Sequence, residues 1–320
     1  MNTLRRPFYV IAFHSGLIFA LIASMGYGCV KKQPYHTESR LLMGTVVEIT
    51  CQDKQAIQVA FREMEDVERL LSIFDDNSEI SQLNKRRKLN ASWKTLQILK
   101  KCKSFYETSS GAFDITAGPL VDIWKDAIEE GRAPSERSIT RAKKLVDSNN
   151  IVIDEVFSTA KLSKRRMKLD LGAVAKGYAV DVAIRKLKEI GITSCLINAG
   201  GDIYCLGKKN NRPWQIGIQH PRNDSIVKNF VLTNRAVATS GDYEQFFVLQ
   251  NKRYSHIINP YTGYPADSGV VSVTVIADDC ITADALATSI FVLGKEKGEE
   301  LARAFANVQT IIFTEDDLDV

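Results

Sequence analysis

From Ser194 to Ile258 the chain offers one short strand-like run after another, with no helical period between them. The runs are Ser194–Ile197, Asp202–Leu206, Trp214–Ile218, Phe230–Leu232, Ala236–Ala238, Phe246–Leu249 and Tyr254–Ile258. Another strand is expected at Leu41 to Cys51, on the β-branched alternation of Thr45-Val-Val-Glu-Ile-Thr50. Helical spacing marks Ala56–Ser72, through Val59, Phe61, Met64, Val67, Leu70 and Leu71. It also marks Ser92–Ser109, the polar Ser135–Val146, and Ala175–Ile190 with Gly191 as C-cap. Ser72–Asn90 reads as a polar loop, and Phe113–Trp124 as an apolar stretch broken by Gly118-Pro119. Ile151–Asp154, Ala160–Leu162 and Met167–Leu171 read as short strands. Val271–Ala277 opens a closing strand–helix–strand unit that ends at Gln309–Phe313. Interspersed helices and strands without a βαβ rhythm predict an α+β fold. We expect a single interwoven body, residues 41–320, with a largely antiparallel or mixed sheet and flanking helices. At 320 residues and 45% hydrophobic content, the chain can bury such a core.

The N-terminus has a different character. Arg5 and Arg6 precede an apolar run from Phe8 to about Tyr27, the pattern of an export signal. A small residue directly before Cys29 resembles a bacterial lipoprotein cleavage site, with Cys29 as the lipid-bearing residue. An uncleaved anchor is the alternative, since the run is nearly long enough to span a bilayer. Both readings put the remainder on the outer side of the cell inner membrane, in the periplasm, with residues 30–40 as a linker. The net charge is only +4, with no clustered basic face of the nucleic-acid-binding kind. Five cysteines remain after Cys29, none in a CxxC pair, so a zinc site is not expected. Cys195 and Cys205 flank Gly200-Gly201 almost symmetrically, and a simple hairpin there would leave a disulfide open.

Chemistry concentrates in a few segments. Asp284 and Thr288 are four residues apart in Thr282-Ala-Asp-Ala-Leu-Ala-Thr-Ser-Ile290. On a helix that spacing turns a carboxylate and a hydroxyl to one side, two hard oxygens suited to Mg²⁺ or Ca²⁺. An ordinary helix start, with Thr282 as cap and Asp284 facing the dipole, is the competing reading. Leu169-Asp-Leu-Gly-Ala-Val-Ala-Lys-Gly-Tyr178 runs from a strand through small residues into a helix. Free N–H groups there attract anions such as a pyrophosphate, and Lys176 can neutralise phosphate. A tightly packed corner is equally open. The adjacent glycines of Asn198-Ala-Gly-Gly-Asp202 mark a bulge or a close ligand contact. His256, just before the turn-forming Asn259-Pro-Tyr-Thr-Gly263, is a candidate for acid–base work.

Taken in order, the motifs resemble those of the ApbE family. They are Met43-Gly-Thr45, Phe113-Asp-Ile-Thr-Ala-Gly-Pro-Leu-Val121, Asp170-Leu-Gly-Ala-Val-Ala-Lys-Gly177 and Asn198-Ala-Gly-Gly-Asp202, then Thr239-Ser-Gly-Asp-Tyr243, Ser255-His-Ile-Ile-Asn-Pro-Tyr-Thr-Gly263 and Ala283-Asp-Ala-Leu-Ala-Thr288. The resemblance implies an FAD:protein FMN transferase. Such an enzyme uses Mg²⁺ to split the FAD pyrophosphate, passes FMN to a Thr or Ser hydroxyl of an acceptor protein, and releases AMP. It also implies roles by position. Met43, Ala117, Gly118, Pro119, Asp170, Lys176 and Ile258 match FAD-contacting positions, and Phe74 stands where a Tyr beside the flavin is frequent. The Ala173 carbonyl and the Asp284 and Thr288 side chains match the metal ligands. His256 is the candidate base, with Asp242 a weaker alternative. Expected partners are flavin-carrying subunits of membrane electron-transport complexes. Asn259 departs from the usual Asp, which predicts a weaker hydrogen bond near the flavin, and Ala287 replaces an acidic residue found in some members. Two other functions use the same residues: an FAD pyrophosphatase yielding FMN and AMP, and a non-catalytic FAD-binding lipoprotein.

Overall fold

The structure, a computed structural model, describes residues 34–243, 246–249 and 252–318. The export segment and Cys29 lie outside the described residues. Among the described residues, no helix is long and apolar enough to cross a membrane.

A seven-stranded sheet, antiparallel at every pairing, forms the centre. In spatial order its strands are β1 (His36–Leu42), β2 (Thr45–Cys51), β6 (Cys195–Ala199), β7 (Asp202–Leu206), β10 (Arg235–Gly241), β13 (Val270–Ala277) and β14 (Gln309–Thr314). Three small sheets lie outside it. They join β3 (Lys88–Asn90), β5 (Thr159–Leu162) and β4 (Ile151–Asp154); β8 (Trp214–Gln219) and β9 (Ile226–Leu232); and β11 (Phe246–Leu249) and β12 (Lys252–Ser255). The helices are α1 (Lys54–Leu71), α2 (Glu79–Arg86), α3 (Trp93–Thr108), α4 (Gly118–Glu130), α5 (Glu136–Lys143), α6 (Ala175–Glu189), α7 (Cys280–Leu293) and α8 (Lys295–Arg303). This is the α+β class with antiparallel pairing that the strand succession implied.

The sheet is covered on both sides. Every residue of β13 is buried, as expected of a strand with both faces packed. On one face the core holds Val273, Val275, Ile197, Ala183 and Ile290. On the other, Ile276, Val237 and Cys205 pack with Trp214, Ile216 and Ile218 of the β8–β9 hairpin. Helix α7 is apolar almost all round and buried along most of its length, which suits a helix packed on β10, β13, α6 and α8 at once.

Several expectations need adjustment. The strand expected over Leu41–Cys51 is a hairpin: Met43 (φ 54°) and Gly44 (φ 73°) form the two-residue turn, whose positive φ values match strand twist. The strand before it begins at His36, inside the expected linker. The polar stretch Ser72–Asn90 contains α2, an eight-residue helix burying only Ile80, Ser81 and Leu83. Met167–Leu171 contributes a single parallel bridge, Lys168 to Ala117, rather than a strand. Gly200 (φ 60°) and Gly201 (φ 98°) turn the β6–β7 hairpin. Its register pairs Cys195 with Leu206 and Cys205 with Leu196. The two cysteines are therefore one step out of register and face opposite sides of the sheet. Each sits in a different core cluster, and both thiols are free.

Candidate active site

Helices α6 and α7 cross at Gly177. A Cβ there would stand 2.6 Å from the Cys280 carbonyl oxygen and 3.1 Å from Asp284 Cβ. This glycine serves helix contact rather than ligand access. The close approach lets the Gly177 N–H donate to Asp284 Oδ2 at 3.3 Å. Asp284 is 4% exposed. Lys176 Nζ lies 3.9 Å from Asp284 Oδ2 and 2.7 Å from Oδ2 of Asp202, the first residue of β7. Asp202 is also buried. Burial pushes the Asp284 carboxyl well above the usual carboxylate range; the neighbouring Asp202 charge adds to this, and Lys176 opposes it.

Sequence reasoning missed Asp202 as a site residue. Its signal was present: a carboxylate directly after a glycine turn that must be tight. Asn198 Oδ1 accepts from Gly201 N–H at 2.9 Å and fixes that turn.

Asp284 and Thr288 share α7, as the four-residue spacing required. The helix starts earlier than expected, however. Asp279, not Thr282, is the N-cap, accepting from Thr282 N–H at 2.9 Å. Asp284 therefore sits in the second turn. Thr288 Oγ1 is 3.4 Å from Ser240 Oγ of β10. Ala173 lies two residues before α6, in the turn that Val174 and Ala175 N–H close onto the Leu171 carbonyl. Among the described residues no three His, Cys, Asp or Glu side chains converge as a metal cluster. The available donors are all oxygen: two buried carboxylates, a hydroxyl and backbone carbonyls. With one ammonium between two carboxylates, this set fits a hard divalent cation.

The remaining expected residues gather around the start of α4. Segment 115–119 runs beside 168–170, joined by Asp170 N–H donating to Ile115 O at 2.8 Å and by the Ala117–Lys168 bridge. A Cβ at Gly118 would meet Lys168 O at 2.6 Å, so only glycine fits. Pro119 occupies the first turn of α4, where its missing N–H costs nothing. Asp170 Oδ1 accepts from Gly172 N–H at 2.9 Å and shapes the turn leading to Ala173. The Asp114 carboxylate accepts from Thr116 N–H, Thr116 Oγ1 and Ser148 Oγ, bracing the same loop. Ile258 packs in the cluster of Leu120 and Trp124. Phe74 is 86% exposed, with Lys125 of α4 5.4 Å from its ring centre. Beside these residues a cleft of about 390 Å³ is lined by Ile73, Asn84, Pro119, Asp122 and Lys168. Met43 is placed separately, at its hairpin tip, where its N–H donates to Glu68 Oε1 at 2.7 Å.

His256 lies just past the end of β12, exposed, and not on the strand as expected. Asp242 is committed elsewhere: Arg222 donates to both of its oxygens, at 2.6 and 2.7 Å. The pairing holds the Arg222 guanidinium more firmly charged and removes Asp242 as a candidate base. Asn259 Oδ1 accepts from Tyr261 and Thr262 N–H at 2.9 and 3.3 Å. An amide oxygen performs that acceptor role as a carboxylate would, so the departure from Asp leaves this turn intact.

Comparison with known proteins identifies the family. Residues 43–312 match the ApbE family. The FAD:protein FMN transferase of Haemophilus influenzae is 30% identical over 308 residues, covering 90% of this chain and 89% of the relative. That of Vibrio cholerae is 32% identical over 292 residues, covering 87% of each. Among solved structures, the ApbE protein of Thermotoga maritima superposes with a TM-score of 0.82 at 33% identity, covering 88% of this chain and 95% of that one. The flavin transferase ApbE of Vibrio cholerae gives 0.76 at 30%, covering 88% and 94%. By sequence and by fold alike, the chain belongs to the ApbE family.

Proposed function

We propose that this chain is a transferase that moves FMN from FAD to a Thr or Ser hydroxyl of an acceptor protein and releases AMP. The observation that carries the reading is the buried Asp284–Asp202–Lys176 cluster beside the Thr288 hydroxyl, at the start of α6. Mg²⁺ bound there would supply Lewis acidity toward the pyrophosphate and offset charge on the departing AMP. Asp284, Thr288 and the Ala173 carbonyl would hold it, and Asp202 keeps Lys176 turned toward the phosphates. The α4 start and the loop braced by Asp114 bind the rest of FAD, with Phe74 against the flavin.

In the transfer step, the acceptor hydroxyl oxygen forms a bond to the FMN phosphorus. The pyrophosphate P–O bond breaks, and AMP leaves with that electron pair. The hydroxyl proton passes to His256, whose exposure suits a substrate as large as a protein. We place the enzyme on the periplasmic face of the inner membrane, anchored through lipid on Cys29, where flavin-carrying subunits of electron-transport complexes are its acceptors.

The test combines the purified protein with FAD, Mg²⁺ and a Thr-containing acceptor domain. It reads the acceptor's mass and the AMP formed. One FMN phosphoester per acceptor with matching AMP supports transfer. AMP and free FMN with an unmodified acceptor point to the pyrophosphatase, and FAD binding with no AMP to a flavin-binding protein.

A further inference from the structure

The start of α7 is held from outside the helix. Its first N–H groups, on Cys280, Ile281 and Thr282, lack intrahelical acceptors. Asp279 satisfies Thr282. The other two are taken by Asp181 of α6, whose Oδ1 accepts from Cys280 N–H at 2.8 Å and Oδ2 from Ile281 N–H at 2.9 Å. Gly177 stands one turn before Asp181, and Asp284 one turn after Cys280. The Asp181 contacts and the Gly177–Asp284 contact are therefore successive rungs between the same two helices.

We propose that Asp181 is a positioning residue: as an ionised carboxylate it fixes the rotation and register of α7 against α6, and so places Asp284 and Thr288 for the cation. The role rests on the reading of Asp284 and Thr288 as cation ligands. Two charge-assisted bonds at the positive end of a helix make a strong clamp. Protonation, or exchange for an amide, removes one acceptor and leaves a buried N–H unsatisfied.

The surroundings put that protonation near neutral pH. Burial, and then the Asp279 charge, push the Asp181 carboxyl up to about 7, against the Ile281 and Cys280 N–H bonds and the smaller pull of Lys101 from α3. Arg185 and Lys188 of α6, Tyr204 of β7 and Asp278 line the same cleft of about 280 Å³, which opens Asp181 to water. Tyr204 and Tyr178, both pushed up to about 12, and the Cys280 thiol, raised well above its usual value, all stay neutral there.

The first measurement uses the metal-free wild-type protein. The backbone amide resonances of Cys280 and Ile281 are expected to titrate together with a midpoint near pH 7. The second compares Mn²⁺ affinity, by calorimetry from pH 6 to 8.5, between wild type and Asp181→Asn. The variant is expected to bind at least about tenfold more weakly at pH 8 and to lose the part of the pH dependence centred near 7. Amides that do not titrate, or a variant binding Mn²⁺ like wild type with an unchanged pH profile, overturn the proposal. Titrating amides in a wild-type protein that binds no Mn²⁺ would overturn the cation reading of Asp284, and the positioning role with it. The amide titration needs no variant, so a misfolded Asp181→Asn protein does not remove the test.

Discussion

Gly177 and Asp284 meet through a backbone N–H and a carboxylate oxygen 3.3 Å apart, 107 residues distant in sequence, at a helix crossing with no room for a methyl group. Gly177→Ala would set a Cβ against the Cys280 carbonyl oxygen. Helices forced apart there lose about 1–3 kcal/mol of stability and misplace Asp284. The variant is expected to melt several degrees lower and to need much more Mg²⁺ for half-maximal turnover. A variant that melts like wild type with the same Mg²⁺ requirement would show the crossing to be looser than described.

Asp284→Asn separates function from stability. It replaces a carboxyl whose ionisation burial and Asp202 both disfavour. The metal-free variant is therefore expected to melt no lower than wild type, and to rise by a few degrees if the carboxylate is ionised there. Mg²⁺-dependent FMN transfer is expected to fall by at least about a hundredfold. Retained Mg²⁺-dependent transfer would remove Asp284 from the cation site.

The pH dependence of stability has a definite sign. The Asp181, Asp284 and Asp114 carboxyls are all raised in the folded chain, chiefly by burial. Between the ordinary carboxylate range and their raised values, the folded state binds more protons than the unfolded state. Unfolding free energy then falls as pH rises, by up to about 1.4 kcal/mol per pH unit for each such group. Metal-free protein is expected to lose stability from pH 5 to 8, and millimolar Mg²⁺ to restore part of it above pH 7. Urea unfolding at three pH values checks this; stability that rises with pH would contradict it.

His256→Ala is expected to lower kcat for transfer by about 10²–10⁴ while FAD binding stays within twofold or so. Because His256 is exposed and lies beyond the end of β12, its removal opens no cavity. Fluorescence titration with FAD and single-turnover transfer separate the two effects. Unchanged single-turnover transfer would assign the proton to another group.

The sequence made the antiparallel α+β arrangement legible because short strands and helices follow one another without a βαβ rhythm. It made α2 illegible because Glu79-Ile-Ser-Gln-Leu buries so few side chains that no period emerges. The i,i+4 relation of Asp284 and Thr288 was readable, since it depends only on both lying in one helix. The cap was not: Asp279 and Thr282 are both good capping residues, and contacts from α6 decide between them. Asp202 escaped notice because its importance arises from a neighbour 82 positions later, Asp284. Asp242 looked available until Arg222, 20 residues earlier, proved to hold both its oxygens. Local periodicity reports local structure, while the pairing of charges is a property of the closed fold.

The centre of this molecule is assembled from pieces that the ribosome makes far apart in time. Lys176 and Asp202 precede Asp284 and Thr288 by about a quarter to a third of the chain, and among the described residues α8, β14 and a short turn come after α7. A chain that stops before α7 cannot hold the cluster. Loop closure over such distances is slow, so closing the cluster is a late event in folding. A chain cut before α7 would lack both the helix that fills the middle of its core and the Asp284 carboxyl that completes the cluster.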